Sequence, residues 1–336
     1  MNPTVDPHPS NIDQLSTTPT LEVDSIDTDS AYGDEISAYT ASMTSSVTDF
    51  PEAHGRTYHA YRMGRYSLPN DEKENERLDI HHALIYRAMG ERLYFAPIND
   101  NPQRVIDIAT GTGIWPIQFS DQHPLSEVIG NDLSPTQTTM VPPNLKFIVD
   151  DIEEDWNYET QPFDYVHARF LAGAVRDWPR LVQQAFNCTK RGGWVELQDW
   201  NTFIYSRDNT IPPESDMAKF HAMCGGAREA QGFDMKPGGS LERWMNEVGF
   251  QNVRAHKLYL PLGTWPKDRR LKEIGALNLL QMLEAVEAIC LGTLPHAPQP
   301  WSYEEIQIFL AGIRQDFTNR KIHGQYDFYV VYGQRP

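Results

Sequence analysis

Short catalytic signatures are missing from this 336-residue chain. It has no P-loop, no H-E-x-x-H zinc helix, no C-x-x-C pair and no G-x-S-x-G elbow, so the chemistries built on those motifs are set aside. Cysteine is scarce. Cys188, Cys224 and Cys290 stand far apart without paired spacing, which favours reduced thiols in an intracellular protein over a disulfide framework. Lys and Arg are absent from residues 1–55, which hold ten Asp or Glu and therefore −10 of the formal net charge of −17. Neither this stretch nor the mildly acidic remainder offers the clustered cations that a phosphate backbone requires, so direct nucleic-acid binding is not expected. The N-terminus also lacks a basic region followed by an apolar one, so no secretory signal is expected there. An unbroken apolar run of membrane length is missing too. Ile274 to Leu294 is interrupted by Asn278, Gln281, Glu284 and Glu287, and it reads as an amphipathic helix, not a membrane span. The expectation is a soluble protein of the cytoplasm or nucleus.

Residues 1–55 are rich in Ser, Thr, Asp and Pro and have no apolar periodicity. Such a segment buries too little surface to offset its ordering entropy, so it is expected to be a disordered acidic leader. A regulatory role for it, through protein partners, stays open. A folded domain is expected over residues 56–336. Arg56 to Tyr66 mixes aromatic and basic residues in the manner of a lid or an added helix within an N-terminal region 56–100, and the core starts at 101. Asn70 to Glu76 supplies a cap and an acidic first turn. The helix that follows runs on through Leu78, Ile80, His81, Leu84 and Ile85.

From Arg104 the pattern alternates. Strands are expected at 104–109, 126–132, 145–149, 163–168 and 193–199, with the clearest helix from Trp178 to Lys190, closed by Arg191-Gly-Gly193 as a C-cap turn. Alternation of this kind predicts a doubly wound, mostly parallel sheet with right-handed crossovers. Helices near 214–231, 238–248, 267–290 and 302–319 follow, with strands at 252–260 and 326–332, the last suited to an antiparallel insertion.

In an open sheet of this kind ligands bind beyond the carboxyl ends of the strands. Four such ends carry suitable groups: the turn Thr110 to Gly113, Asp132, Asp150-Asp151-Ile152, and His167 to Phe170. Gly111 and Gly113 allow a sharp turn and close approach of backbone to ligand. Asp132 is placed to accept from both hydroxyls of a ribose, and Asp151 with Ile152 to meet an adenine. A dinucleotide fold would want a third glycine where Pro116 stands. S-adenosylmethionine, which has no pyrophosphate, suits the sequence better.

Val105-Ile-Asp-Ile-Ala-Thr-Gly-Thr-Gly113 resembles motif I of the class I S-adenosylmethionine-dependent methyltransferases. Arg56 to Tyr61, Leu68 to Glu72, Gly111 to Trp115, Asp177-Trp-Pro179, Gly192-Gly-Trp194 and Tyr332 to Pro336 look like the LaeA-like methyltransferases of filamentous fungi. The resemblance runs from about residue 56 to the end. It implies a Rossmann-like seven-stranded α/β fold with helical N- and C-terminal additions, S-adenosyl-L-methionine as cofactor, and a role in fungal secondary metabolism, either as a methyltransferase acting on a small molecule or as a nuclear regulator. Carried over by position, Asp107, Gly111 and Gly113 would line the methionine moiety, Asp132 the ribose and Asp151 with Ile152 the adenine. Thr110 and Leu133 complete the candidate set. Relatives vary around Ala109-Thr110, which departs from the family pattern.

Methyl transfer is an in-line displacement whose main demands are alignment and exclusion of water, so a general base is optional. His167 and Arg169 are candidates for catalysis by strand-end position, and Tyr58, Arg62 and Tyr66 by their place in the lid segment. No metal is called for. His81 and His82 are adjacent on a helix and point about 100° apart, which reads as a helix-surface pair. Trp115, Trp178 and Trp194 read as core or sheet-covering aromatics.

Overall fold

The computed structural model describes residues 48–62 and 66–336. The leader expected at 1–55 therefore lies outside the described residues as far as 47. Its end does not match the expectation, because Glu52–Ala53 already pairs antiparallel with Arg56–Thr57 in a small hairpin.

Seven strands form one sheet: β1 Arg104–Ile108, β2 Glu127–Asp132, β3 Leu145–Val149, β4 Phe163–Arg169, β5 Thr189–Tyr205, β6 Gln251–Pro261 and β7 Gln325–Gln334. Their spatial order is β3-β2-β1-β4-β5-β7-β6. The first five are parallel, and β7 lies antiparallel between β5 and β6. The order reverses between β1 and β4, which opens a crevice at their carboxyl ends. Because both faces are covered, the short central strands read as apolar runs and not as alternation.

Successive side chains of each strand serve opposite layers. Val105, Val128 and Tyr165 pack with Trp115 and Phe119 on one side. Ile106, Ile129 and Val166 pack with Trp178, Leu181, Leu241 and Trp244 on the other. Trp178 and Trp244 stack at 5.5 Å, and each large apolar side chain buried this way contributes about 1.5–3 kcal/mol. These packing partners come from α2 Ile114–Gln122, α3 Trp178–Asn187 and α5 Leu241–Val248. Trp194 is partly buried against the first layer, as a sheet-covering residue. The three cysteines are buried and free.

A third cluster joins α1 Glu72–Ala88, α4 Asp216–Ala230, α6 Arg269–Thr293 and α7 Tyr303–Thr318 over β6 and β7. Side-chain caps start each of these helices: Asp71, Ser215, Asp268, and Ser302 in a capping box with Glu305. By length and composition α6 is apolar enough to span a membrane. In the fold it packs into the helical cluster through Ile274, Met282 and Val286.

The end of α3 corrects the sequence reading. The helix stops at Asn187 and the strand begins at Thr189, so Gly192-Gly193 is not a C-cap. The glycines lie inside β5, where its register against β4 slips between Thr189 and Trp194. Gly192 has φ of 81° and its amide donates to Arg335 O at 2.7 Å. A glycine pair that bulges a strand looks in sequence like one that ends a helix.

Candidate functional site

A cavity of about 1290 Å³, its open mouth included, lies at the crevice between β1 and β4. Of the residues singled out as cofactor ligands, Asp107, Thr110, Gly111, Asp132, Leu133, Asp151 and Ile152 line it. Gly113 sits just behind, as the left-handed N-cap of α2 with φ of 80°. A Cβ there would collide with the Phe147 ring, whereas one at Gly111 would meet only Leu78 at 3.5 Å. Gly113 is thus needed for packing, while Gly111 leaves open space for a ligand.

The turn is locked to β2. Asp132 Oδ2 accepts the Gly111 amide at 2.8 Å and Oδ1 accepts that of Ser134 at 3.1 Å. Asn131 holds the preceding residues, accepting from Ala109 N through Oδ1 at 3.0 Å and from Thr110 N through its carbonyl at 2.8 Å. Ala109 is left-handed, with φ of 52°. Burial raises the Asp132 carboxyl to about 6 against the pull of its backbone N–H donors.

Asp107 is committed on both oxygens: Oδ1 accepts from His167 Nδ1 at 2.6 Å and Oδ2 from the Thr110 hydroxyl at 2.5 Å. Since a carboxylate only accepts, His167 carries its proton on Nδ1. The imidazole stacks on Trp115 at 3.8 Å and is fully buried. Burial lowers its pKa despite Asp107. His167 thus lines the cavity from inside β4, buried, as the group that orients Asp107.

Arg169 also lines the cavity. Its Nη2 donates to His82 Nδ1 at 2.9 Å, which leaves the His82 proton on Nε2, facing Gln118 Oε1 at 3.0 Å. Among the described residues no carboxylate pairs with this guanidinium in an ion pair, and burial pushes it down to about 10. A desolvated cation without a counter-ion is costly and marks a place for an anion. Burial and Arg169 together hold His82 neutral, with a pKa of about 3.

The N-terminal segment closes the far side. His59 and Tyr66 line the cavity, and Arg62 pairs with Asp151 at 3.3 Å and with Glu154. The described part of 56–66 forms no helix and runs as a strap beside the cavity. Tyr58 lines neither this cavity nor its neighbour.

That neighbour is a second cavity of about 1030 Å³, mouth included. Tyr66, Leu68, Leu78 and Phe170 line both. Sequence reasoning did not find it. His81 and His82, read as a helix-surface pair, are both buried, at 3% exposure. They do diverge: His81 faces the second cavity, and His82 faces Gln118 and Arg169. The signal available was spacing, since His81 follows Leu78 by three and precedes Ile85 by four on the apolar face of α1.

Residues 80–255 match the family model described as "Methyltransferase domain". The chain is 39% identical to "Methyltransferase pytC" of Aspergillus terreus over 94% of its own length and 95% of that protein's. It is 31% identical to "Secondary metabolism regulator LAE1" of Cochliobolus heterostrophus, covering 84% and 94% of the two chains. It is 32% identical to "Probable methyltransferase tdiE" of Emericella nidulans, covering 82% and 87%.

Proposed function

This chain belongs to the class I S-adenosylmethionine-dependent methyltransferases, in the LaeA-like family, and from that premise we propose that it methylates a small molecule of fungal secondary metabolism. One observation carries the assignment of the first cavity as the cofactor site. The Asp132 carboxylate is tied to the Gly111 amide at the cavity wall, so a ribose acceptor and an uncluttered turn face the same space. The cofactor, when bound, supplies a sulfonium methyl group that is attacked in line. In this reading Asp132 accepts from the ribose hydroxyls, Asp151 and Ile152 hold the adenine, and the turn from Thr110 to Gly111 leaves room for the methionine chain. Arg169, first singled out for catalysis, instead receives the methionine carboxylate. His167 and Asp107 fix the Thr110 side of that turn. Tyr66 and the strap exclude water, and alignment of this kind lowers barriers by roughly 7–11 kcal/mol in favourable cases.

Calorimetry with S-adenosylhomocysteine tests the assignment. Wild type should bind, and Asp132→Ala should bind at least about tenfold more weakly, the loss of hydrogen bonds to a charged acceptor. Absence of binding by the wild type would refute it.

The relatives' names include a regulator, and the acidic stretch at 1–55 motivates a second reading, assembly with partner proteins. Deleting residues 1–47 separates the two, because a regulator should lose its partner while cofactor affinity persists. Three unpaired thiols support an intracellular site of action for either.

A further inference from the structure

The second cavity is walled by α1, α4 and α6 and floored by β5 and β7. Its surface is mostly apolar and aromatic, with Phe170, Trp200, Phe220, Met282 and Ile289 among its lining. Most polar groups along it are already committed to the protein. Arg77 is held bidentate by Glu74, at 2.7 and 3.0 Å, and also donates to Gln281 Oε1 at 3.1 Å. His221 bonds Met217 O at 2.8 Å and the Tyr326 hydroxyl at 2.7 Å. The Thr202 hydroxyl donates to Met235 O at 2.9 Å. Arg228 donates to Gln231 Oε1 and Gly173 O and lies over the Phe233 ring.

His81 is different. The residue is 3% exposed, and among the described residues its Nε2 has no hydrogen-bond partner. An orphaned polar atom at this depth is costly, and this one belongs to a residue that lines a cavity with room for a ligand. The ring is fixed in place by Phe170, stacked 3.6 Å away, with Trp200 at 5.2 Å on a tilt. Phe170 is itself held in a left-handed conformation, φ 61°, which a bulky residue adopts only when its surroundings impose it. The restraint comes from β5. The Phe170 amide donates to Gln198 O, and the next two amides converge on Asp199 Oδ2 at 2.7 and 3.0 Å. This strained residue lines both cavities, so His81 stands beside their junction.

We propose that the second cavity binds the methyl acceptor, an uncharged, apolar, ring-bearing molecule with a hydroxyl group that hydrogen-bonds to His81 Nε2. The inference rests on the methyltransferase reading of the first cavity. Apolar walls supply the affinity for rings, and Arg77, a cationic neighbour of His81, is neutralised by its pairing with Glu74. A hydroxyl serves whichever nitrogen of His81 holds the proton, because it both donates and accepts. Neutrality of His81 is consistent with this, since burial and its cationic neighbours Arg77 and Arg169 push its pKa well below the ordinary value.

The test uses the full chain saturated with S-adenosylhomocysteine, titrated with 2-naphthol and with naphthalene while Trp fluorescence is followed. Wild type should prefer 2-naphthol by about tenfold, the typical effect of one hydrogen bond to a buried partner. His81→Phe keeps the stacking surface and should reduce that preference to within about twofold, while S-adenosylhomocysteine affinity stays unchanged and His81→Gln restores part of the preference. Ile289→Trp narrows the cavity and should weaken both probes about tenfold, again without change in cofactor affinity. Equal binding of the two probes to wild type, an undiminished preference in His81→Phe, or no binding of either probe overturns the proposal. Failure of S-adenosylhomocysteine itself to bind overturns the first-cavity reading, and this inference with it.

Discussion

Asp132 Oδ2 lies 2.8 Å from the amide nitrogen of Gly111. The carboxylate at the end of β2 thus holds the glycine turn at the end of β1 before any ligand arrives. Because it is both a brace and a binding group, its protonation is felt at the ligand.

Affinity for S-adenosylhomocysteine should therefore depend on pH. Burial puts the Asp132 carboxyl at about 6, and ribose hydroxyls donate to its ionised form. Binding should be on a plateau above pH 7 and fall by roughly tenfold between pH 7 and pH 5. Isothermal titration across this range checks it, with Asp132→Asn expected to be flat. A wild-type profile as flat as the variant's would remove Asp132 from the ribose site.

Arg169→Met should weaken S-adenosylhomocysteine by roughly 10- to 100-fold, the range for hydrogen bonds to a charged group. 5′-Methylthioadenosine has no amino-acid carboxylate, and its affinity should change by less than about twofold. Equal losses for both ligands would mean that Arg169 only supports the fold.

Ala109→Gly should stabilise the protein. Ala109 is left-handed at φ 52°, which costs about 1–2 kcal/mol with a Cβ and little without one, while glycine loses about 0.5–1 kcal/mol in chain entropy. A rise in Tm of about 1–3 °C is expected. A lower Tm would show that the methyl group's packing outweighs the backbone strain.

Glu196 predicts a pH-dependent stability. Burial raises its carboxyl from 4.5 to about 7, although the amides of Phe95 and Ala96 and the side chain of Gln198 pull the other way. The folded state keeps a proton that the unfolded chain has already lost, so stability is greatest below about pH 4.5 for this group and declines up to about pH 7. The difference in denaturant midpoint between wild type and Glu196→Gln at pH 5, 6, 7 and 8 should show that decline, because buried neutral histidines such as His82 tilt both profiles the other way. Asp199, raised to about 7 by burial, keeps a residual slope in the variant. No difference in slope between wild type and variant would count against the shift.

The parallel half of the sheet was legible because its central strands are buried on both faces. Val105–Ile108 and Leu145–Val149 announce themselves as short apolar runs, each broken by one charged residue, the first leading into the turn Ala109 to Gly111 and the second into Asp150. The cofactor ligands were legible for a related reason, since strand ends are where a doubly wound fold exposes its chemistry. The glycine pair in β5 was not, because a bulge and a C-cap share one composition. Nor were the left-handed Ala109 and Phe170, since neither residue type signals a positive φ. The second cavity was hidden for a different reason. Its walls come from α1, α4 and α6, over 200 residues from Leu78 to Thr293, and no local pattern reports which distant faces will meet. Only the alignment of His81 with Leu78 and Ile85 pointed inward.

The placement of β7 bears on how this chain reaches its fold. Among the described residues β6 has no partner in the sheet other than β7, so during synthesis its edge stays open until residues 325–334 have emerged. β5 waits as well: Leu197 pairs with Val331, across more than a hundred residues. Contacts of such separation form slowly, and an open strand edge invites pairing with another chain. The first five strands can assemble in the order of translation, whereas the part of the second cavity's floor that β7 supplies is the last to close.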